Sequence, residues 1–207
     1  MVQDRTALDI LSEAIAGVGA VHNSAERYPP PRCHSETRQE IIADILQWCR
    51  GPSSNANVFW VHGPAGVGKS AIAQTIAELI ESKGLLAASF FFSRHDGKRS
   101  DPTYLVPTIA YQLACRVPEL NDAMTRIIQQ HPGILDSSFD VQFTHLLVKA
   151  YRVAVEIHGQ QWMSRLTGRV IIIDAPDECE IRSTAQRFLG LQCSSEPLIP
   201  PIAFCCG

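Results

Sequence analysis

Charge is scarce in this sequence and nearly balanced. Only 19% of its 207 residues are Asp, Glu, Lys or Arg, and the formal net charge is −3. A general nucleic-acid binder is excluded on that ground, because no basic excess exists to neutralise phosphates. The densest basic run, Arg94 to Arg99, also contains Asp96 and reads as a solvated loop. No apolar stretch approaches the roughly 18 residues of a membrane span. The start, Met1-Val-Gln-Asp-Arg5, is polar and leads into no apolar leader segment. Seven cysteines are present, but none forms a Cys-x-x-Cys pair, and Cys205 and Cys206 are adjacent. That pattern suits neither a zinc knuckle nor an ordinary disulfide, so the expectation is free thiols in a reducing, cytoplasmic setting. Gly-x-Ser-x-Gly and His-Glu-x-x-His are missing, and the histidines are dispersed, so hydrolase elbows and zinc-protease sites have no support.

What is present is ordinary globular material: 45% hydrophobic residues, enough for one sizeable core. Residues 1–33 read as an N-terminal helix and Pro-rich linker, 34–180 as the main domain and 181–207 as an irregular tail. Leu8, Leu11, Ile15 and Val18 are spaced by three and four, a single apolar helical stripe. So short a helix is marginal alone in water and must dock on something. Pro29 to Pro31 forbid a helix and favour extended chain. A helix is then expected from about Thr37, where Thr37 and Glu40 have capping-box spacing, to the Gly51-Pro52 stop. Val58 to His62 is almost wholly apolar, as in a strand buried on both faces. Further strands are expected at Leu85 to Phe92 and Arg169 to Asp174. Helical spacing recurs at Leu105 to Arg116, Glu119 to Gln130 and Val141 to Ile157. Trp48, Trp60 and Trp162 fall in these patterns and read as core. The alternation of strand and helix predicts an α/β domain with a parallel sheet.

Two motifs carry chemistry. Gly63-Pro64-Ala65-Gly66-Val67-Gly68-Lys69-Ser70 fits the Walker A phosphate loop at every required position, with Ala71 opening the helix behind it. The glycines let successive N–H groups turn inward on phosphates, and the helix start adds partial positive charge. Lys69 reaches the β and γ phosphates, and the Ser70 hydroxyl ligates magnesium. The metal also needs an acid at the end of a neighbouring strand. Val170-Ile-Ile-Ile-Asp174 supplies one, with Asp174 holding magnesium through water. Asp177 or Glu178 would then polarise the attacking water as general base. The ligand expected is ATP or GTP with Mg2+, since no base-reading motif is legible.

Together these segments, with Ser89-Phe-Phe-Phe-Ser-Arg94, Ile109-Ala-Tyr-Gln-Leu113 and Asp174-Ala-Pro-Asp-Glu-Cys179, resemble a fungal NACHT-type NTPase. The same region is described as a nephrocystin-like N-terminal domain. The resemblance spans about Val21 to Cys179. It implies a P-loop NTPase three-layer sandwich, with one further strand between the loop-bearing strand and the acidic strand. It also implies a nucleotide-gated signalling switch of the STAND class, partnered by an effector protein or by further copies of the chain. The Pro30 to Thr37 segment lies where such proteins approach the adenine.

Two departures stand out. Pro176 replaces a leucine of the family pattern, removes a backbone donor and is expected to hold Ala175 extended. That puts hydrolysis in doubt more than binding. After Glu180 neither a sensor arginine nor a winged-helix segment is found, and Pro200-Pro201 argue against a central strand at Ile199 to Cys206. The tail therefore reads as that of a truncated member whose sheet lacks its middle strand. The competing reading is a non-catalytic piece that acts as an interaction module or has no role. A metabolic P-loop kinase fits poorly, because no lid-like arginine cluster and no acceptor site is visible.

Overall fold

The computed structural model describes residues 5–34, 36–49, 58–166, 168–176 and 202–205. The fold is mixed α/β, mostly helical, around a small sheet whose four strands are all parallel. Strands β1 (Val58–Val61), β2 (Leu86–Phe91), β3 (Val170–Asp174) and β4 (Ile202–Cys205) lie in the order β1-β4-β3-β2.

The position of β4 corrects the sequence reading. The expected gap between the Val58 and Val170 strands is filled by residues of the tail itself, paired in parallel to both neighbours. Pro200 and Pro201 do not prevent this because the strand begins at Ile202, after them. A proline ahead of a strand removes no ladder hydrogen bond from it.

Strand β3 shows why the sheet has helices on both faces. Successive side chains alternate, so Ile171 and Ile173 enter one apolar cluster while Val170 and Ile172 enter another. The first cluster is covered by α1 (Ala7–Ala14), α5 (Leu105–Arg116), α6 (Pro118–Gln130) and the helical run from α7 (Phe139–Phe143) to α8 (Ala150–His158). The second is covered by α2 (Gln39–Cys49) and α3 (Lys69–Glu81), and the short helix α4 (Gly97–Ser100) follows β2. Strand β2 carries an extra residue: Leu86 pairs with Val170 but Ala88 with Ile171. Such a bulge inverts the alternation, which is why Leu86 lies with Phe91 in one cluster and Ala88 with Phe90 in the other.

Strand β1 is less buried than its composition suggests. It pairs on one side only among the described residues, and Trp60 is 40% exposed, not core. Trp162 is buried and Trp48 half-buried.

Helix α1 does dock, as so short a helix must. Thr6 and Asp9 form a capping box, and the Ala7 and Leu8 N–H groups donate to Thr125 Oγ1 (2.8 Å) and Asn121 Oδ1 (3.3 Å) of α6. The capping box expected at Thr37 is not formed. Its hydroxyl donates to the His34 carbonyl (2.9 Å), and Arg38 takes a left-handed φ of 58° before α2 starts at Gln39. Helix α6 starts at Pro118 itself, the position where a missing N–H costs nothing. The stretch expected as one helix from Val141 to Ile157 is continuous but has a π-helical segment, Thr144–Lys149, between α7 and α8.

The outer edge of β2 is closed by side chains and by the N-terminal segment. Gln112 exchanges two hydrogen bonds with the Ser89 backbone (3.0 and 2.9 Å), Arg116 Nε donates to Leu86 O (3.0 Å) and Phe91 N donates to Ala20 O (2.9 Å). His22 adds its own N–H to Ser89 Oγ (3.1 Å). An edge covered in this way offers no template to another chain.

Candidate nucleotide site

The glycine-rich loop leaves β1 and runs straight into α3. Gly66 and Gly68 have φ of 83° and 86°, with Val67 between them outside the positive range. Alternation of left- and right-handed residues turns consecutive N–H groups to one side, the backbone form that cradles anions. Gly68 is the N-cap of α3 and provides no side-chain acceptor, so it leaves the first N–H groups of the helix uncapped. Lys69 folds back across the loop and donates to the Gly63 and Pro64 carbonyls, both at 2.8 Å. Its ammonium is thereby held over the concave side of the loop. Pro64 to Val67 are exposed, while Gly63, Gly68, Lys69, Ser70 and Ala71 are half-buried.

Register fixes where the acid lies. Val61, at the end of β1, and Asp174, at the end of β3, both align with Cys205 of β4. The loop mouth and the carboxylate therefore stand at one level of the sheet, two interstrand spacings or roughly 10 Å apart. Both are at carboxyl ends of parallel strands, where open α/β sheets take their ligands. Asp174 is 3% exposed, and its main-chain carbonyl accepts from Phe92 N (3.1 Å). Asp177 and Glu178 lie outside the described residues.

Ala175 corrects a second expectation. Pro176 was to hold it extended, yet its φ is 51°. Extended geometry would carry β3 straight on. A left-handed residue instead turns the chain at Asp174, and both Ala175 and Pro176 are buried there. For a residue with a Cβ this conformation costs roughly 1–2 kcal/mol, and such strain gathers at sites where geometry matters.

Three arginines that sequence reasoning did not place in the site join this edge. Arg38 donates from Nη2 to the Val67 carbonyl, and a Cβ on Gly68 would lie 2.8 Å from that nitrogen. Its left-handed backbone is what brings it to the loop. Arg27 has its Cζ over the Phe91 ring, 3.6 Å from the centroid, and donates from Nη1 to His22 O (3.0 Å) and Gln74 Oε1 (2.6 Å). Arg99 donates from Nε to Phe91 O (3.3 Å). The run Arg94 to Arg99 is thus only partly a solvated loop: Arg94, His95 and Lys98 are exposed, but Arg99 is half-buried. Burial first, and then the neighbouring Arg99 charge, lower the Arg27 guanidinium to about 10, with Asp174 and Glu78 opposing. Arg27 and Arg38 depend on distant segments and carry no local signal, although Arg38 adjoins a stretch tied to the ligand by resemblance; Arg99 stands out only as part of a basic run that reads as a solvated loop.

Among the described residues no group of three or more His, Cys, Asp or Glu gathers as a metal cage, and no helix is long and apolar enough to cross a membrane. A site with one carboxylate and one hydroxyl fits magnesium shared with phosphate oxygens better than a protein-only cage. No curated protein and no solved structure matches the chain. A family model described as nephrocystin 3, N-terminal, does match, over residues 36–205. That span takes in Arg38, the loop, α3, Arg99, Asp174 and the whole of β4, so the tail that reads as irregular is matched as well. On this match the chain belongs to the nephrocystin 3 N-terminal family.

Proposed function

We propose that this chain binds a nucleoside triphosphate, ATP or GTP, with magnesium, as the P-loop module of a NACHT-type signalling NTPase. The observation that carries the reading is the shared register of Val61 and Asp174 on Cys205. It supports a loop and an acid facing one ligand across a single strand. The residues present fit the group. Gly63 to Gly68 would cradle the phosphates, Lys69 and the α3 start would offset their charge, and Ala71 would complete the helix start. Ser70 and Asp174 would hold magnesium, Asp174 through water; the bound metal neutralises charge on the β and γ phosphates. Asp177 and Glu178 remain the proposed general bases. The alternative, a non-catalytic piece acting as an interaction module, rests on the atypical tail and its missing sensor arginine; β4 removes one part of that support, the expected gap beside β3.

Thermal unfolding tests the reading. Ligand at a hundredfold over its dissociation constant adds about 2.7 kcal/mol, several degrees for a chain of this size. Mg-ATP or Mg-GTP should raise the transition of the wild type by that amount and leave Lys69→Ala unmoved. A wild-type transition indifferent to both nucleotides refutes the proposal.

A further inference from the structure

The row of residues across the carboxyl edge of the sheet does not stop at the acid. Asp174 aligns with Phe91 of β2, one strand further out. Phe91 is where two guanidinium groups meet: Arg27 covers its ring and Arg99 holds its carbonyl. The two side chains come from unrelated segments, the N-terminal linker and the turn after β2. They share one anchor and repel each other.

Like charges brought together in partly buried surroundings are costly unless something of opposite sign joins them. Among the described residues neither guanidinium has an ion pair. Asp174 and Glu78 lie within electrostatic reach of Arg27, and Glu26 within that of Arg99. Among the described residues Arg27 spends only Nη1 on protein acceptors, and Arg99 only Nε. Their remaining N–H groups form the planar forks that suit phosphate oxygens.

Distance to the loop also fits. Arg27 bonds Gln74, which stands one turn beyond Ser70 on the same face of α3. One turn is a rise of roughly 6 Å, so Arg27 is anchored close behind the loop.

We propose that Arg27 and Arg99 form an anion subsite that receives the terminal phosphoryl group of the bound nucleotide. The subsite makes the site tell a triphosphate from a diphosphate. This inference rests on the nucleotide reading above. Arg99 is the group to change, because Arg27 also stitches the N-terminal segment to α3 and its loss threatens the fold.

Titration calorimetry of the full chain with Mg-ADP and with the non-hydrolysable triphosphate Mg-AMPPNP reads the effect directly. Arg99→Gln should weaken AMPPNP at least tenfold and leave ADP within twofold. Arg99→Lys keeps the charge but not the fork and should lose at least threefold, again for the triphosphate alone; it stands in if the Gln variant fails to fold. Equal weakening of both ligands, or no change in either, overturns the subsite while the nucleotide reading stands. A wild type that binds neither ligand overturns both. Inorganic phosphate that raises the melting temperature of Lys69→Ala as much as that of the wild type, and not that of Arg99→Gln, identifies a free anion as the occupant. That result would also overturn the assignment to the nucleotide.

Discussion

At the scale of single residues, two left-handed side-chain-bearing positions shape the site. Arg38 and Ala175 have φ of 58° and 51°, one before α2 and one after β3. A β-branched residue suffers most in that region, so Ala175→Val should lower stability by about 1–2 kcal/mol, read from the denaturation midpoint. A midpoint equal to the wild type would mean that the turn relaxes at no cost. Arg38 acts through the loop: its Nη2 holds the Val67 carbonyl while its side chain is exposed. Arg38→Ala should therefore weaken Mg-ATP about tenfold, the equivalent of roughly 1.4 kcal/mol, with the ligand-free melting temperature nearly unmoved. A large fall in that temperature would recast Arg38 as a structural residue. The placement of Lys69 and Ser70 at a helix start and of Asp174 at a strand end was legible in sequence, because identity and local spacing define it. The contacts of Arg27 and Arg38 were not, because each meets a residue far away in the chain, and the turn that brings Arg99 back to Phe91 reads in sequence only as a solvated loop.

At the scale of elements, β4 is the instructive case. The other three strands announce themselves as β-branched or aromatic runs beside turn signals. Ile202–Cys205 follows two prolines and pairs with partners far away in the chain, and no local pattern reports such pairing. Because it is bonded on both sides, its backbone donors matter more than its side-chain pattern. Ala203→Pro should remove a central ladder bond and cost about 3 kcal/mol or more. An unchanged unfolding transition in that variant would rule out a central β4. The capping boxes teach the same lesson on a smaller scale. Thr6 with Asp9 closes one, whereas Thr37 with Glu40 has the spacing but not the geometry, because Arg38 swings toward the loop. Thr6→Ala should cost about 0.5–2 kcal/mol, measured as a shift of the chemical denaturation midpoint; a shift within error would show that α1 is held by its contacts with α5 and α6 alone.

At the scale of the molecule, two apolar clusters share one sheet. Neither closes without β3, whose odd and even residues belong to different clusters. Ile109 and Ile76 are fully buried, one in each. Truncating either to Ala should cost about 2–5 kcal/mol, and both variants should shift one common unfolding transition. Separate transitions, each sensitive to only one of the two variants, would show the layers to be independent.

The order β1-β4-β3-β2 also sets a clock. On the ribosome the glycine-rich loop emerges early, but the strand that braces β1 against β3 is the last of the four to be made. At about 5–20 residues per second, the interval between the two is on the order of ten seconds. Throughout that time the nascent chain carries the loop without the neighbour that aligns it with Asp174. That flank of β1 stays unpaired until then, and the register that joins loop to acid is acquired only once β4 has been made.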